Sequence, residues 1–323
     1  MKSILVTGAT GFIARHLIPS LIEHGLRVKA ASRDLSIRLP HDLSPVNVGY
    51  INGSTDWRQA LIGIDSVIHL AARAHILREQ SSKAEEDCFS VNVQGTANLV
   101  NQSIEAGVKH FIFVSSIGAM ATLSDRPLDE NSPCHPETHY GKSKLQAEKA
   151  LIDLADGSDM TWTILRPTLV YGPGNPGNMA RLTHLIKLGL PLPLGSLRNR
   201  RNFLYVGNLV DAIVTCLTHP KARNQTFIVS DGEELSTPGL IHKLAYHSGY
   251  PCCLFPLHPS ILRTLGCGGD WLENLTGKSL ALNSDIISRL TGSLSVNSHK
   301  IRQMLSWHPP YTLDEGLTRT FES

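Results

Sequence analysis

This chain predicts a doubly wound α/β fold, a parallel sheet with helices on both faces, and three observations predict it. Short β-branched or apolar runs alternate with helical stretches through the first half. The first run ends in a glycine-rich turn, TGATGFIA, that opens a helix. No internal repeat, heptad seam or low-complexity tail competes with that pattern. Strands separated by helices need crossovers, which are right-handed and cover both faces of the sheet.

The elements follow in order. ILVT (4–7) is the first strand and 12–24 the first helix. RVKAA (27–31), VIHLAA (67–72), FIFVSS (111–116) and TWTILRP (161–167) are further strands, with helices at 56–62, 85–106 and 140–155. Residues 172–202 are rich in Gly, Pro, Asn and Arg and read as a ligand-facing loop around a helix at 178–188. NFLYVGNLVDAIVTCL (202–217) reads as a turn and then a helix, and TFIVSD (226–231) as a strand. Beyond 232 the chain is mostly helical, with Pro-rich breaks near 251–259 and 308–310. The expected division is a Rossmann-type domain from 1–168 plus 203–231, and a smaller, mostly helical substrate lobe from 169–202 plus 232–323. The cleft between them is the expected ligand site.

Composition narrows the function classes. The 323 residues suffice for a buried core, and a net charge of +2 is too small to argue for nucleic acid or a membrane surface as partner. No apolar run approaches the roughly 18 residues that a membrane helix needs. The 15 histidines are scattered without HExxH, and the six cysteines include no CxxC pair, so no metal site is expected. Reduced thiols and a strand that starts at Ile4 are the expectation for a cytoplasmic protein.

The turn carries the first chemistry. In TGATGFIA, Gly8 allows the tight turn after the strand. Gly11 lets the backbone approach a pyrophosphate at the helix N-terminus, and Ala14 stands where a third glycine is usual. Thr10, Phe12 and Ile13 belong to the same cofactor-binding turn. About 20 residues on, where an acid would bind the ribose hydroxyls of NAD, the chain has Ser32-Arg33-Asp34. A hydroxyl beside a guanidinium suits a 2′-phosphate and favours NADP(H). NAD(H) is the alternative, with Asp34 on the ribose if the register slips by two.

The second set is at mid-chain. Tyr140 and Lys144 are spaced i, i+4 and share one helix face. A free tyrosine, with a pKa of about 10, is a poor base at neutral pH, and a nearby ammonium is expected to lower it. Lys144 also reaches the nicotinamide ribose. Tyr140 then exchanges a proton with a sugar hydroxyl whose carbon exchanges a hydride. Ser116 ends a strand at the carboxyl edge of the sheet, where its hydroxyl meets the reacting oxygen.

With these motifs in place, the chain resembles an extended short-chain dehydrogenase/reductase of the nucleotide-sugar epimerase/dehydratase family. The resemblance spans essentially the whole chain, through TGATGFIA, HLAARAH (69–75), NVQGTANL (92–99), FVSSIGA (113–119), YGKSK (140–144), RPTLVYGPG (166–174) and RNFLYVGNLVDA (201–212). It implies that Leu70, Ala71 and Ala72 border the cofactor and that Asn92 supports the active-site helix. It makes Ser116 the catalytic Ser/Thr, with Ser115 as the alternative. It also places a nucleotide diphosphate between Asn178 and Arg201. Helices matching 85–106 and 140–155 often form a homodimer interface in this superfamily.

Two departures bear on function. Gly53-Ser54 replaces a usual Gly-Asp pair at the adenine, leaving the hydroxyls of Ser54 and Thr55. Ile117-Gly118-Ala119 replaces the Asp-Glu pair that dehydratases use to eliminate water, which argues against dehydration. The favoured activity is a 4-ketoreductase of a UDP-linked deoxy or N-acetyl sugar in surface-polysaccharide synthesis. The alternatives are a UDP-hexose 4-epimerase and, from another class, a non-catalytic NADP(H)-sensing protein.

Overall fold

The computed structural model describes residues 2–33, 43, 45–73, 82–175, 177–276 and 284–322. Its strands are β1 (Ser3–Thr7), β2 (Arg27–Ser32), β3 (Val46–Asn47), β4 (Ser66–His69), β5 (His110–Val114), β6 (Thr161–Pro167), β7 (Leu169–Tyr171), β8 (Arg201–Tyr205), β9 (Gln225–Val229) and β10 (Glu234–Leu235). Its α-helices are α1 (Phe12–Glu23), α2 (Arg58–Leu61), α3 (Ser82–Cys88), α4 (Gly95–Glu105), α5 (His139–Ala155), α6 (Asn178–Lys187), α7 (Val206–Thr218), α8 (Thr237–Ser248), α9 (Pro259–Thr276), α10 (Ser284–Thr291), α11 (His299–Leu305) and α12 (Leu313–Phe321).

Seven strands form one parallel sheet in the order β3-β2-β1-β4-β5-β6-β9. β1 and β5 are buried along their whole length, as a sheet covered on both faces requires. One face packs Leu17, Leu21, Leu209 and Ile213 from α1 and α7; the other packs Leu99, Ala147 and Leu151 from α4 and α5. The strand order reverses between β1 and β4. That crevice lies at the carboxyl ends of the strands, where such sheets bind ligands.

A small mixed sheet, β10-β8-β7, packs with α6, α8 and α12. Here the structure corrects one expectation: 201–205 is a strand, not a turn. Arg201 to Tyr205 pair with β7 on one side and β10 on the other, which satisfies their backbone groups before α7 begins. The strands expected at 67–72 and 111–116 are shorter and end at His69 and Val114. Leu70 to Ala72 and Ser115-Ser116 thus leave the sheet as loops over its carboxyl edge. The 85–106 helical run is continuous, with a π-helical turn at Phe89–Gln94.

Candidate active site

The glycine turn comes first. Gly8 has φ of +65°, and a Cβ there would stand 2.8 Å from Ala71 N, so only glycine lets β1 turn against the loop after β4. Gly11 is the N-cap of α1 and offers no side-chain acceptor. The first N–H groups of α1, at Phe12 and Ile13, therefore point at the turn without an intrahelical partner. An anionic pyrophosphate fits that arrangement, so Gly8, Thr10, Gly11, Phe12 and Ile13 are placed to hold a dinucleotide. Ser32 is buried at the end of β2 and Arg33 is exposed beside it; Asp34 lies outside the described residues. In the stretch expected to border the adenine, Ser54 Oγ donates to Asn52 Oδ1 at 2.8 Å, and Thr55 Oγ1 donates to Tyr50 O at 2.9 Å.

The Tyr-Lys helix is set by local sequence. Thr138 caps α5 by accepting from Gly141 N at 3.0 Å. Gly141 itself packs on the Gly118 carbonyl so closely that a Cβ would overlap it. That contact draws the first turn of α5 onto the 3-10 turn Ile117–Ala119, whose N-cap is Ser116. Ser116 Oγ accepts from Gly118 N at 3.0 Å, and the Ser116 hydroxyl stands near enough to the Tyr140 phenol to lower its pKa. Lys144, one turn on, is 1% exposed. Its Nζ donates to Val114 O at 2.7 Å and lies 4.0 Å from the centroid of the Phe113 ring.

The electrostatics correct another expectation. Burial pushes the Tyr140 phenol up to about 12, with the Ser116 hydroxyl working against it. Burial takes the Lys144 ammonium down to about 7, with Glu148 favouring its charge. Desolvation is the largest effect at both sites. Burial alone thus leaves Tyr140 protonated at neutral pH, and a charged Lys144 brought beside it is what would favour the phenolate.

Asn92 sits in the π-helical turn and is 1% exposed. Its Oδ1 accepts from Arg73 N at 2.8 Å, and its Nδ2 donates to Arg73 O at 3.3 Å and Ser143 Oγ at 2.9 Å. Both amide atoms are spent within the chain, so Asn92 ties the loop after β4 to α5. Leu70 and Ala71 in that loop border the glycine turn, and Ala72 follows them.

In the small sheet, Arg201 opens β8. Its Nε donates to Gly292 O at 3.0 Å, and its buried Nη2 has no partner. Burial lowers Arg201 to about 10, with the Arg289 guanidinium on α10 adding to the effect. An arginine with an orphaned donor fits an anionic oxygen. Asn178 is the first residue of α6; its side chain lies outside the described part of the chain. Sequence reasoning missed Arg289, Gly141 and Glu148. YGKSKLQAE carried a signal for the last two, since Glu148 continues the i, i+4 row of Tyr140 and Lys144. Nothing local marked Arg289.

The fold and this site together define a dinucleotide-dependent oxidoreductase with a Tyr-Lys-Ser centre. Residues 4–230 match the model of the NAD dependent epimerase/dehydratase family. The chain is 41% identical to a UDP-glucose 4-epimerase of Vibrio cholerae, over 100% of this chain and 95% of that one. It is 30% identical to N-acetyl-alpha-D-glucosaminyl-diphospho-ditrans,octacis-undecaprenol 4-epimerase of Escherichia coli O157:H7, over 99% and 94% of the two chains. Among solved structures, UDP-glucose 4-epimerase with UDP-glucose from Thermotoga maritima superposes with a TM-score of 0.76 at 25% identity, covering 99% and 97%. The chain belongs to the NAD-dependent epimerase/dehydratase family and is an enzyme of the extended short-chain dehydrogenase/reductase type.

Proposed function

We propose that this enzyme is a 4-epimerase of a UDP-linked hexose or N-acetylhexosamine. The observation that carries the reading is full-length likeness to the Vibrio cholerae UDP-glucose 4-epimerase, including the lobe that would select the sugar. Arg201 supports it: its orphaned buried Nη2 would gain a partner in a nucleotide diphosphate, and the nearby Arg289 charge adds to the positive field there. NAD held at the Gly8–Ile13 turn would supply a hydride acceptor and donor for the sugar's C4. Tyr140, as the phenolate, would take the O4 proton as the 4-keto group forms and give it back as the carbinol reforms. Ser116 donates to the same oxygen, and Lys144, released from Val114 O, supports the phenolate. A UDP-sugar 4-ketoreductase using NADPH is the second reading. The absence of an acid at Ser32-Arg33, the usual ribose position, favours it.

One experiment separates them. The purified chain is denatured, the released dinucleotide identified, and the enzyme given UDP-glucose or UDP-N-acetylglucosamine. Retained NAD and a mixture of C4 epimers without net NADH is the expected result. Dinucleotide-free protein that consumes NADPH with a UDP-4-keto sugar would select the reductase. In either case Arg201→Lys and Arg289→Ala should raise KM for the UDP-sugar roughly tenfold or more, with a smaller change in kcat.

A further inference from the structure

One buried histidine outside the Tyr-Lys-Ser set has both ring nitrogens engaged. His69 ends β4 with no exposed surface. Its Nδ1 lies 2.6 Å from Thr7 Oγ1 and its Nε2 lies 3.0 Å from Thr96 Oγ1. Thr96 Oγ1 donates its hydrogen to Asn92 O at 2.7 Å, so the ring must donate to Thr96, from Nε2. Nδ1 is then an acceptor for the Thr7 hydroxyl. Thr7 Oγ1 in turn accepts from Ala71 N at 3.3 Å, beside the Gly8 turn. A second run starts at the Asn92 side chain, joined to the first only through the covalent frame of Asn92: Nδ2 donates to Ser143 Oγ, and Ser143 Oγ donates to Tyr140 O at 2.8 Å.

We propose that His69 is a positioning residue: as the neutral Nε2–H tautomer it links the Thr7 and Thr96 hydroxyls and, through the frame of Asn92, ties the glycine turn to the backbone of Tyr140, and so couples dinucleotide binding to placement of the phenol. The inference rests on the reading that the turn binds the dinucleotide and Tyr140 moves the proton. A protonated ring would turn a second donor on Thr7 and reverse one link. Its surroundings oppose that state: the ring stacks on Phe113 at 5.7 Å between centroids, and burial, with the Lys144 charge adding, lowers its pKa to about 3.

The test uses the full chain with Thr96→Val, His69→Phe and the pair, read by NAD(H) Kd, kcat and 15N spectra of the ring. Thr96 is on α4 and reaches the turn through His69, so a purely local role predicts an unchanged dinucleotide Kd for Thr96→Val. The coupling predicts a Kd weakened roughly three- to tenfold and a similar fall in kcat. It also predicts a double variant no worse than His69→Phe alone, and an Nε2–H ring that does not titrate between about pH 5 and 8. An unchanged Kd in Thr96→Val, an additive pair, or an Nδ1–H ring would overturn it. If His69→Phe does not fold, Thr96→Val and the spectra decide. If no UDP-sugar is turned over, the proposed function fails while the Kd and the spectra still judge the coupling.

Discussion

Ser115 Oγ donates to Glu148 Oε1 at 2.5 Å, beneath the active site rather than into it. The two adjacent serines are thereby given different work. Ser115 and Glu148 are both buried, and Glu148 is also held by Arg166, whose Nε lies 3.0 Å from Oε1 and whose Nη2 lies 2.5 Å from Oε2. Ser116, partly exposed, keeps its hydroxyl on the Tyr140 side.

That division predicts opposite behaviour for the two alanine variants. Ser115→Ala should cost about 1–2 kcal/mol of stability through the lost buried hydrogen bond, with kcat within about threefold of the parent. Ser116→Ala should fold normally and lose about 100-fold in kcat, as expected for a group on the reacting oxygen. Urea unfolding and steady-state kinetics on both variants check this. An inactive Ser115→Ala beside an active Ser116→Ala would reverse the assignment.

The same carboxylate sets a pH dependence. Lys144 titrates near 7 because burial disfavours its charge, while Glu148 favours it. If the charged ammonium supports the phenolate, activity falls as pH rises through the Lys144 value. Glu148→Gln removes the favouring charge, lowers that value further and moves the alkaline limb of kcat to lower pH by about one unit. It also strands the Arg166 guanidinium, at a cost of about 3 kcal/mol. A kcat–pH profile reads the first effect and chemical denaturation the second. An unmoved alkaline limb would remove Glu148 from the chemistry.

The sheet was legible because its strands are near-continuous apolar runs bounded by turns, and the glycine turn and the Tyr-Lys spacing are local patterns. What stayed hidden was non-local. The strand at 201–205 exists because β7 and β10 flank it, 30 residues away in each direction, and its own sequence reads equally as a turn into α7. Arg289 meets Arg201 only after α10 folds back on the small sheet. The value of Tyr140 depends on burial, which spacing does not reveal; a lysine four residues on predicts the wrong sign when both groups are desolvated.

Two buried histidines predict how the fold responds to acid. His69 and His110 are held neutral, lowered to about 3 and about 4, in both cases chiefly by burial. In the unfolded chain each titrates near 6.5. Between those values the unfolded state binds protons that the native state refuses, so stability rises with pH across this window and is lost as pH falls below about 6.5. Each histidine contributes at most about 1.4 kcal/mol per pH unit there. His110 bridges two threonines, with Nδ1 2.8 Å from Thr161 Oγ1 and Nε2 3.2 Å from Thr163 Oγ1, away from the Tyr-Lys-Ser centre. His110→Gln should therefore leave kcat near the parent value while flattening the loss of stability between about pH 6.5 and 4.5 by close to one proton. Urea unfolding at several pH values measures that slope directly, and an unchanged slope would mean that His110 titrates alike in the folded and unfolded chain.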